Sequence, residues 1–210
     1  MIAALLLAAA APTAIDAERA FAREAQRIGQ WSALRKYADQ DAVMFVPQAV
    51  WARDFLRGKK DPPQSERWWP TSSFSSCDGR TAVNRGSWAA PRGSKQGKFT
   101  TVWQRDKGKW LWVYDSAEEL KASANPARQP FVRRASCRGK PPGAPIIAPP
   151  PLTPGQARKT PEDQGRGQSA DKTLGWDWKV DKKGGRHFRT YLWNGDHYEQ
   201  VVFDKIPPAA

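Results

Sequence analysis

Polar and apolar residues alternate along residues 97–115, GKFTTVWQRDKGKWLWVYD, in two runs, Phe99-Thr101-Trp103 and Trp110-Trp112-Tyr114, joined by Asp106-Lys107-Gly108-Lys109. A period of two puts alternate side chains on one face of a strand, so the stretch predicts a β-hairpin with its large rings on one side. A second hairpin is predicted just before it, from residues 72–77 and 80–88 around the Asp78-Gly79 turn, with 91–97 as a long turn between the two. Upstream the period lengthens to that of a helix. Asp16 is placed to cap a helix with Ala17, Ala20, Phe21, Ala25 and Ile28 inward and Gly29 at its end, and Trp31, Leu34, Tyr37 and Ala38 continue on a second short helix. Residues 42–46, AVMFV, predict a buried strand stopped by Pro47, and 48–57 a third helix ended by Gly58. Trp68-Trp69 reads as a short extended element closed by Pro70, and 116–122 as a helical turn.

The pattern then changes. Residues 125–168 hold Pro141-Pro142, Pro145 and Pro149-Pro150-Pro151 among Gly, Lys and Arg with almost no aromatics, the composition of a linker or surface strap. Three further strands are predicted at 174–180, 186–193 and 198–206, separated by Asp181-Lys182-Lys183-Gly184-Gly185 and Asn194-Gly195-Asp196. So short a meander does not bury both its faces alone, and it is expected to pack on the first domain. The expected organisation is a leader over 1–16, an α+β domain over 17–122, a Pro-rich and basic linker over 123–170 and a three-stranded antiparallel meander over 171–210.

The net charge of +13 raises a nucleic-acid reading, but its location weakens it. Residues 121–175 carry 10 Lys and Arg against 3 Asp and Glu, so over half of the excess lies in the Pro-rich region. A flexible basic segment suits attraction to an anionic envelope surface; specific nucleic-acid binding is not expected. Residues 1–14, MIAALLLAAAAPTA, pair an apolar run with small residues, as an export leader does, and the run is too short to span a bilayer. The chain is therefore expected to be exported, periplasmic or secreted. Cys77 and Cys137 fit an oxidising compartment, where two cysteines are commonly paired.

The helix AERAFAREAQRIGQWSALRKYAD, the strand AVMFVPQAV and the hairpin TTVWQRDKGKWLWVYDS together resemble the nuclear-transport-factor-2-like superfamily, and within it the SnoaL-type small domains, over residues 16–120. The resemblance implies an α+β, cone-shaped domain in which N-terminal helices close a curved antiparallel sheet around a pocket. It also implies frequent homodimers through the outer sheet face. Members include isomerases, cyclases, dehydratases and non-enzymatic binding domains, so the fold says little about reaction.

No motif carries the catalytic carboxylate of ketosteroid isomerase-like members onto a residue of this chain. Tyr37, Asp39, Asp41 and Asp115 are the candidates by type. Tyr37 lies on an apolar helix face, Asp39 and Asp41 flank a helix end and suit capping, and Asp115 alternates away from Trp110, Trp112 and Tyr114. His187 and His197 lack a third ligand at metal spacing. No catalytic residue, metal ligand or cofactor is assigned. Tryptophans dominate the remaining candidates: Tyr37, Trp51, Trp69, Trp103, Trp110 and Trp112 are expected to line a pocket for a small apolar ligand, unless they simply fill the core. Trp176, Trp178 and Trp193 either pack on the main domain or form an exposed strip. The leading reading is a non-catalytic ligand-binding or envelope accessory domain, with a small isomerase or cyclase-type enzyme using a pocket carboxylate as the alternative. Binding to an anionic envelope surface is a third.

Overall fold

A computed structural model describes residues 11–121, 129–145 and 163–208, so most of the leader and much of the Pro-rich region lie outside the described residues. Helix α1 (Ala14–Ile28) opens on a capping box in which Thr13 Oγ1 accepts the Asp16 N–H and Asp16 accepts the Thr13 N–H. It starts ahead of the expected cap at Asp16, and the expected leader boundary at residue 16 falls inside its first turn. Gly29, at φ 99°, turns the chain into α2 (Gln30–Tyr37). A β-carbon there would lie 2.2 Å from Asp61 Cγ, and Asp61 itself accepts the Ser32 N–H and hydroxyl.

Strand β1 (Ala38–Phe45) is followed by β2 (Ala49–Trp51) and a single turn, α3 (Ala52–Leu56). The third helix expected over 48–57 is shorter because Ala49, Val50 and Trp51 pair with Phe45, Met44 and Val43. Strands β3 (Arg67–Ser75), β4 (Thr81–Ala89), β5 (Gln96–Asp106) and β6 (Lys109–Glu119) form the two expected hairpins. Trp68 and Trp69 begin β3 rather than standing apart. The helical turn expected from residue 116 is strand as far as Glu119, since Ser116 and Ala117 pair with Thr100 and Phe99.

A further strand comes from the region read as linker: β7 (Phe131–Arg134) lies parallel to β3. The seven-stranded sheet runs β2-β1-β6-β5-β4-β3-β7 and is mixed rather than purely antiparallel, because β1 also pairs parallel with β6. Strands β9 (Leu174–Val180), β10 (Arg186–Trp193) and β11 (Tyr198–Ile206) are the expected meander, with β8 (Gln164–Gln168) added as a fourth antiparallel strand. The sequence QGRGQ has no apolar alternation to reveal it. Its glycines admit the neighbouring rings: β-carbons at Gly165 and Gly167 would lie 2.5 and 2.1 Å from Trp178 and Trp176.

The helices pack on one face of the large sheet, around Phe21, Leu34, Met44, Leu56, Trp103 and Trp112. The small sheet covers the other face, where Val83, Val102 and Tyr114 meet Leu174, Trp176, Trp178 and Phe188; Tyr114 stacks on Phe188 at 4.6 Å. The disulfide Cys77–Cys137 joins the ends of β3 and β7, closing a separation of 60 residues. Between the sheets, buried Asp204 on β11 accepts from Arg85 Nη2 at 2.5 Å and from Thr100 Oγ1 at 2.7 Å. Replacing a buried charge's partner leaves the other charge uncompensated. Asp204→Ala is thus expected to destabilise the protein by about 2–3 kcal/mol, a figure below the fully buried case because Arg85 keeps some solvent. Urea unfolding checks this; an unchanged midpoint would show that the Asp204 contacts add nothing measurable to the packing of the two sheets.

Candidate functional site

Glu18 follows Ala14 by four residues and precedes Phe21 and Ala25 by three and seven, so helical geometry places its carboxylate on the apolar face of α1. It is completely buried. Trp103 Nε1 donates to Oε2 at 2.6 Å, Trp68 Nε1 to Oε1 at 3.0 Å, and Asn84 Nδ2 to Oε2 at 3.3 Å. One carboxylate of α1 therefore gathers side chains of β3, β4 and β5. Burial raises its pKa to about 7, and the charge of Asp115 acts in the same direction; the three donors act against both.

A β-bulge sets the opposite wall. The β5–β6 ladder pairs Val102 with Tyr114 but Trp103 with Trp112, leaving Val113 as an extra residue. The alternation of β6 inverts there. Trp110 and Trp112 face the helices, Tyr114 faces the small sheet, and Asp115 returns to the helix side. This corrects two expectations, that the hairpin's rings share one face and that Asp115 points away from the pocket. Pairing then lines up Asn84, Thr101, Asp115 and Met44 across β4, β5, β6 and β1.

Above this row lies a cleft of about 70 Å³, walled by the rings of Phe21, Trp68, Trp88 and Phe99 with Leu34, and carrying Glu18, Gln30, Glu66, Thr101 and Asp115 as its polar groups. Thr101 Oγ1 donates to Asp115 Oδ1 at 2.9 Å. Asp115 is deep in the protein yet partly accessible, its open surface being the cleft itself. Burial raises its pKa to about 6, against the Thr101 hydrogen bond and with the charge of Glu66. Glu66 accepts from Gln30 Nε2 at 3.0 Å and is also pushed up by burial. Each side-chain donor group on the lining already meets an acceptor: Trp68 on Glu18, Thr101 on Asp115, Gln30 on Glu66, and Trp88 on the Glu118 carbonyl. The site is rich in acceptors.

The residues expected to line a pocket lie elsewhere. Trp103 and Trp112 are fully buried beneath the helices, Trp112 Nε1 donating to the Leu34 carbonyl. Tyr37 packs between Phe21 and Trp103, at ring distances of 5.1 and 6.1 Å. Trp110 reaches the Pro12 carbonyl, Trp51 packs against the core between the sheets, and Trp69 is half-buried on β3. Asp39 accepts the Asp41 N–H within β1. His187 sits beside Phe203, and His197 in the exposed turn with Asn194 and Asp196. Among the described residues no group of three His, Cys, Asp or Glu is placed to hold a metal ion. Glu18 and Glu66 were missed from sequence, although a charge in the middle of the apolar stripe of α1 is a readable signal for the first.

No family model and no curated protein matches the chain. Solved structures do. A protein of unknown function of the DUF3225 family from Pectobacterium atrosepticum SCRI1043 shares 15% identity over 50% of this chain and 89% of its own, with a TM-score of 0.39. A candidate ketosteroid isomerase from Parabacteroides distasonis ATCC 8503 shares 14% over 51% and 88%, with a TM-score of 0.41. An NTF-2 like protein of unknown function from Shewanella oneidensis MR-1 shares 15% over 47% and 91%, with a TM-score of 0.39. These neighbours include the superfamily that the sequence resembles; likenesses this distant carry nothing about what the chain binds or does.

Glu18 and Asp115, like Glu66, hold their protons to higher pH folded than unfolded. The stability this contributes is complete below the ordinary carboxylate range, about pH 4, and is lost as pH rises through about 6 for Asp115 and about 7 for Glu18. Groups held low, such as Glu24 and Asp61, act below this window. The urea midpoint is expected to fall between about pH 5 and pH 8. Asp115→Asn, which keeps an acceptor for Thr101, should flatten the first part of that fall. A wild-type midpoint that is level or rises over this range would contradict the assignment.

Proposed function

We propose that this chain is an exported binding domain, an envelope accessory protein, that holds one small and largely apolar ligand in the cleft between α1, α2 and the helix-covered face of the large sheet. The observation that carries this reading is the lining: aromatic walls around a few fixed polar groups, as in small-molecule sites generally. The volume suits a ligand of about one ring, well below a drug-sized pocket of about 300 Å³ or more. The disulfide supports export, since such bonds persist in oxidising compartments. Among the described residues no helix is long and apolar enough to cross a membrane.

One observation favours the enzymatic alternative: Asp115, set against apolar walls, has its pKa moved to about 6, where a base can take and return a proton. An isomerase or cyclase also has to stabilise the charge it develops, which calls for donors aimed at the reacting oxygen. Here each donor group of the lining already serves a carboxylate or a carbonyl, so binding is the better supported reading. The reading as a binder of anionic surfaces loses its aromatic strip, because Trp176, Trp178 and Trp193 are all buried.

Benzyl alcohol is a suitable neutral probe. Its addition is expected to shift the indole N–H resonances of Trp68 and Trp88 saturably, and Ala117→Phe, which narrows the cleft, should weaken binding by about tenfold or more, equivalent to ~1.4 kcal/mol. Equal affinity in the variant would place the probe elsewhere, and no saturable shift would remove the binding reading.

A further inference from the structure

We infer that the ligand of this cleft is a small organic cation, an ammonium group carried on one ring or a short apolar chain. The inference rests on the reading of the cleft as a binding site and names the class of molecule that site would take.

Charge makes the first argument. The chain carries an excess of 13 positive charges, yet its cleft is lined by three carboxylates, Glu18 from α1, Glu66 from just ahead of β3 and Asp115 from β6, while α2 contributes the neutral Gln30 and Leu34. No Lys or Arg lines it. The cation that acts on Asp115, Arg186, belongs to the other side of the sheet, where it donates to the Ala117 carbonyl and lies over the Phe45 ring at 4.6 Å. Like charges brought together in a poorly solvated site oppose one another, and a cation placed among them relieves that repulsion.

Hydrogen bonding makes the second. The donor groups of the lining are already engaged, and the surplus is in acceptors. Asp115 and Glu66 each receive one side-chain donor, Thr101 Oγ1 and Gln30 Nε2, and their remaining lone pairs face the cleft they line. A ligand entering such a site has to bring N–H groups with it; an anion or a carbonyl compound brings more acceptors and meets none of these needs.

The walls make the third. Trp68, Trp88, Phe21 and Phe99 present rings, and ring faces attract cations, Trp most strongly. An ammonium set between carboxylates and aromatic rings satisfies charge, donors and apolar contact together. Glu18, saturated by three donors, holds the walls, whereas Asp115 and Glu66, each with a single side-chain donor, are the groups that meet the cation.

Three probes that share one ring separate the outcomes: benzylammonium, benzyl alcohol and benzoate, titrated into the full chain at about pH 8, above the range in which the carboxyls keep their protons. Calorimetry and the Trp68 and Trp88 indole resonances report binding. Benzylammonium is expected to bind at least about tenfold more tightly than benzyl alcohol, with benzoate weakest. Asp115→Asn and Glu66→Gln should each lower benzylammonium affinity several-fold, and by more than they change the affinity for benzyl alcohol. Equal affinities for the amine and the alcohol, or tighter binding of benzoate, would overturn the inference and leave the binding reading standing. Failure of all three probes to bind would remove both.

Discussion

The burial of one carboxylate governs the helix-covered half of this protein. Glu18 has no exposed surface and no basic partner, and its solvation is replaced by Trp68, Trp103 and Asn84. A buried charge is tolerated only where its oxygens are hydrogen-bonded, so those three strands and α1 are constrained to one mutual position. That constraint fixes the Trp68 ring as a cleft wall and sinks Trp103 into the core beneath it. The Asn84 amide adds a second tie to the same helix through the Ala14 carbonyl. The polar network thus does more than satisfy itself. It decides which part of the helix-covered face is filled and which part stays open.

The opposite face is organised by a different principle. There the small sheet supplies Leu174, Trp176, Trp178 and Phe188 to cover Val83, Val102 and Tyr114, so the apolar side of the large sheet is buried within one chain. Asp204, held by Arg85 and Thr100, and Arg186, which donates to the Ala117 carbonyl, add directional contacts to this apolar packing. With two faces covered, the large sheet has a core on each side. The eleven tryptophans of a chain with only 40% apolar residues are used mainly to fill these two cores.

How much of this could be read from the sequence depended on whether a residue's environment is set locally. The helices, both hairpins, the meander strands and the cysteine pair follow from period, turn residues and compartment chemistry. β7 and β8 were hidden because FVRR and QGRGQ carry no repeating pattern; each becomes a strand only when a neighbour offers it an edge. The candidate site was hidden by a single residue. Strict alternation sends Asp115 away from the helices, and the bulge at Val113 sends it back, a non-local event set by how β5 and β6 align. Glu18 was legible in principle, as a charge among Ala14, Phe21 and Ala25, but its partners stand on strands 50 to 85 residues away.

The central claim is that Glu18 is a buried carboxylate whose protonation is coupled to the indoles of the cleft and core. Carbon-13 NMR of the Glu18 side-chain carboxyl, followed with the indole N–H signals of Trp68 and Trp103 across a pH titration, tests it directly. The account predicts a Glu18 midpoint near about 7, with both indole signals moving in the same transition as the group they donate to changes charge. A midpoint in the ordinary carboxylate range, about 4.3, with the indole signals unmoved, would contradict it.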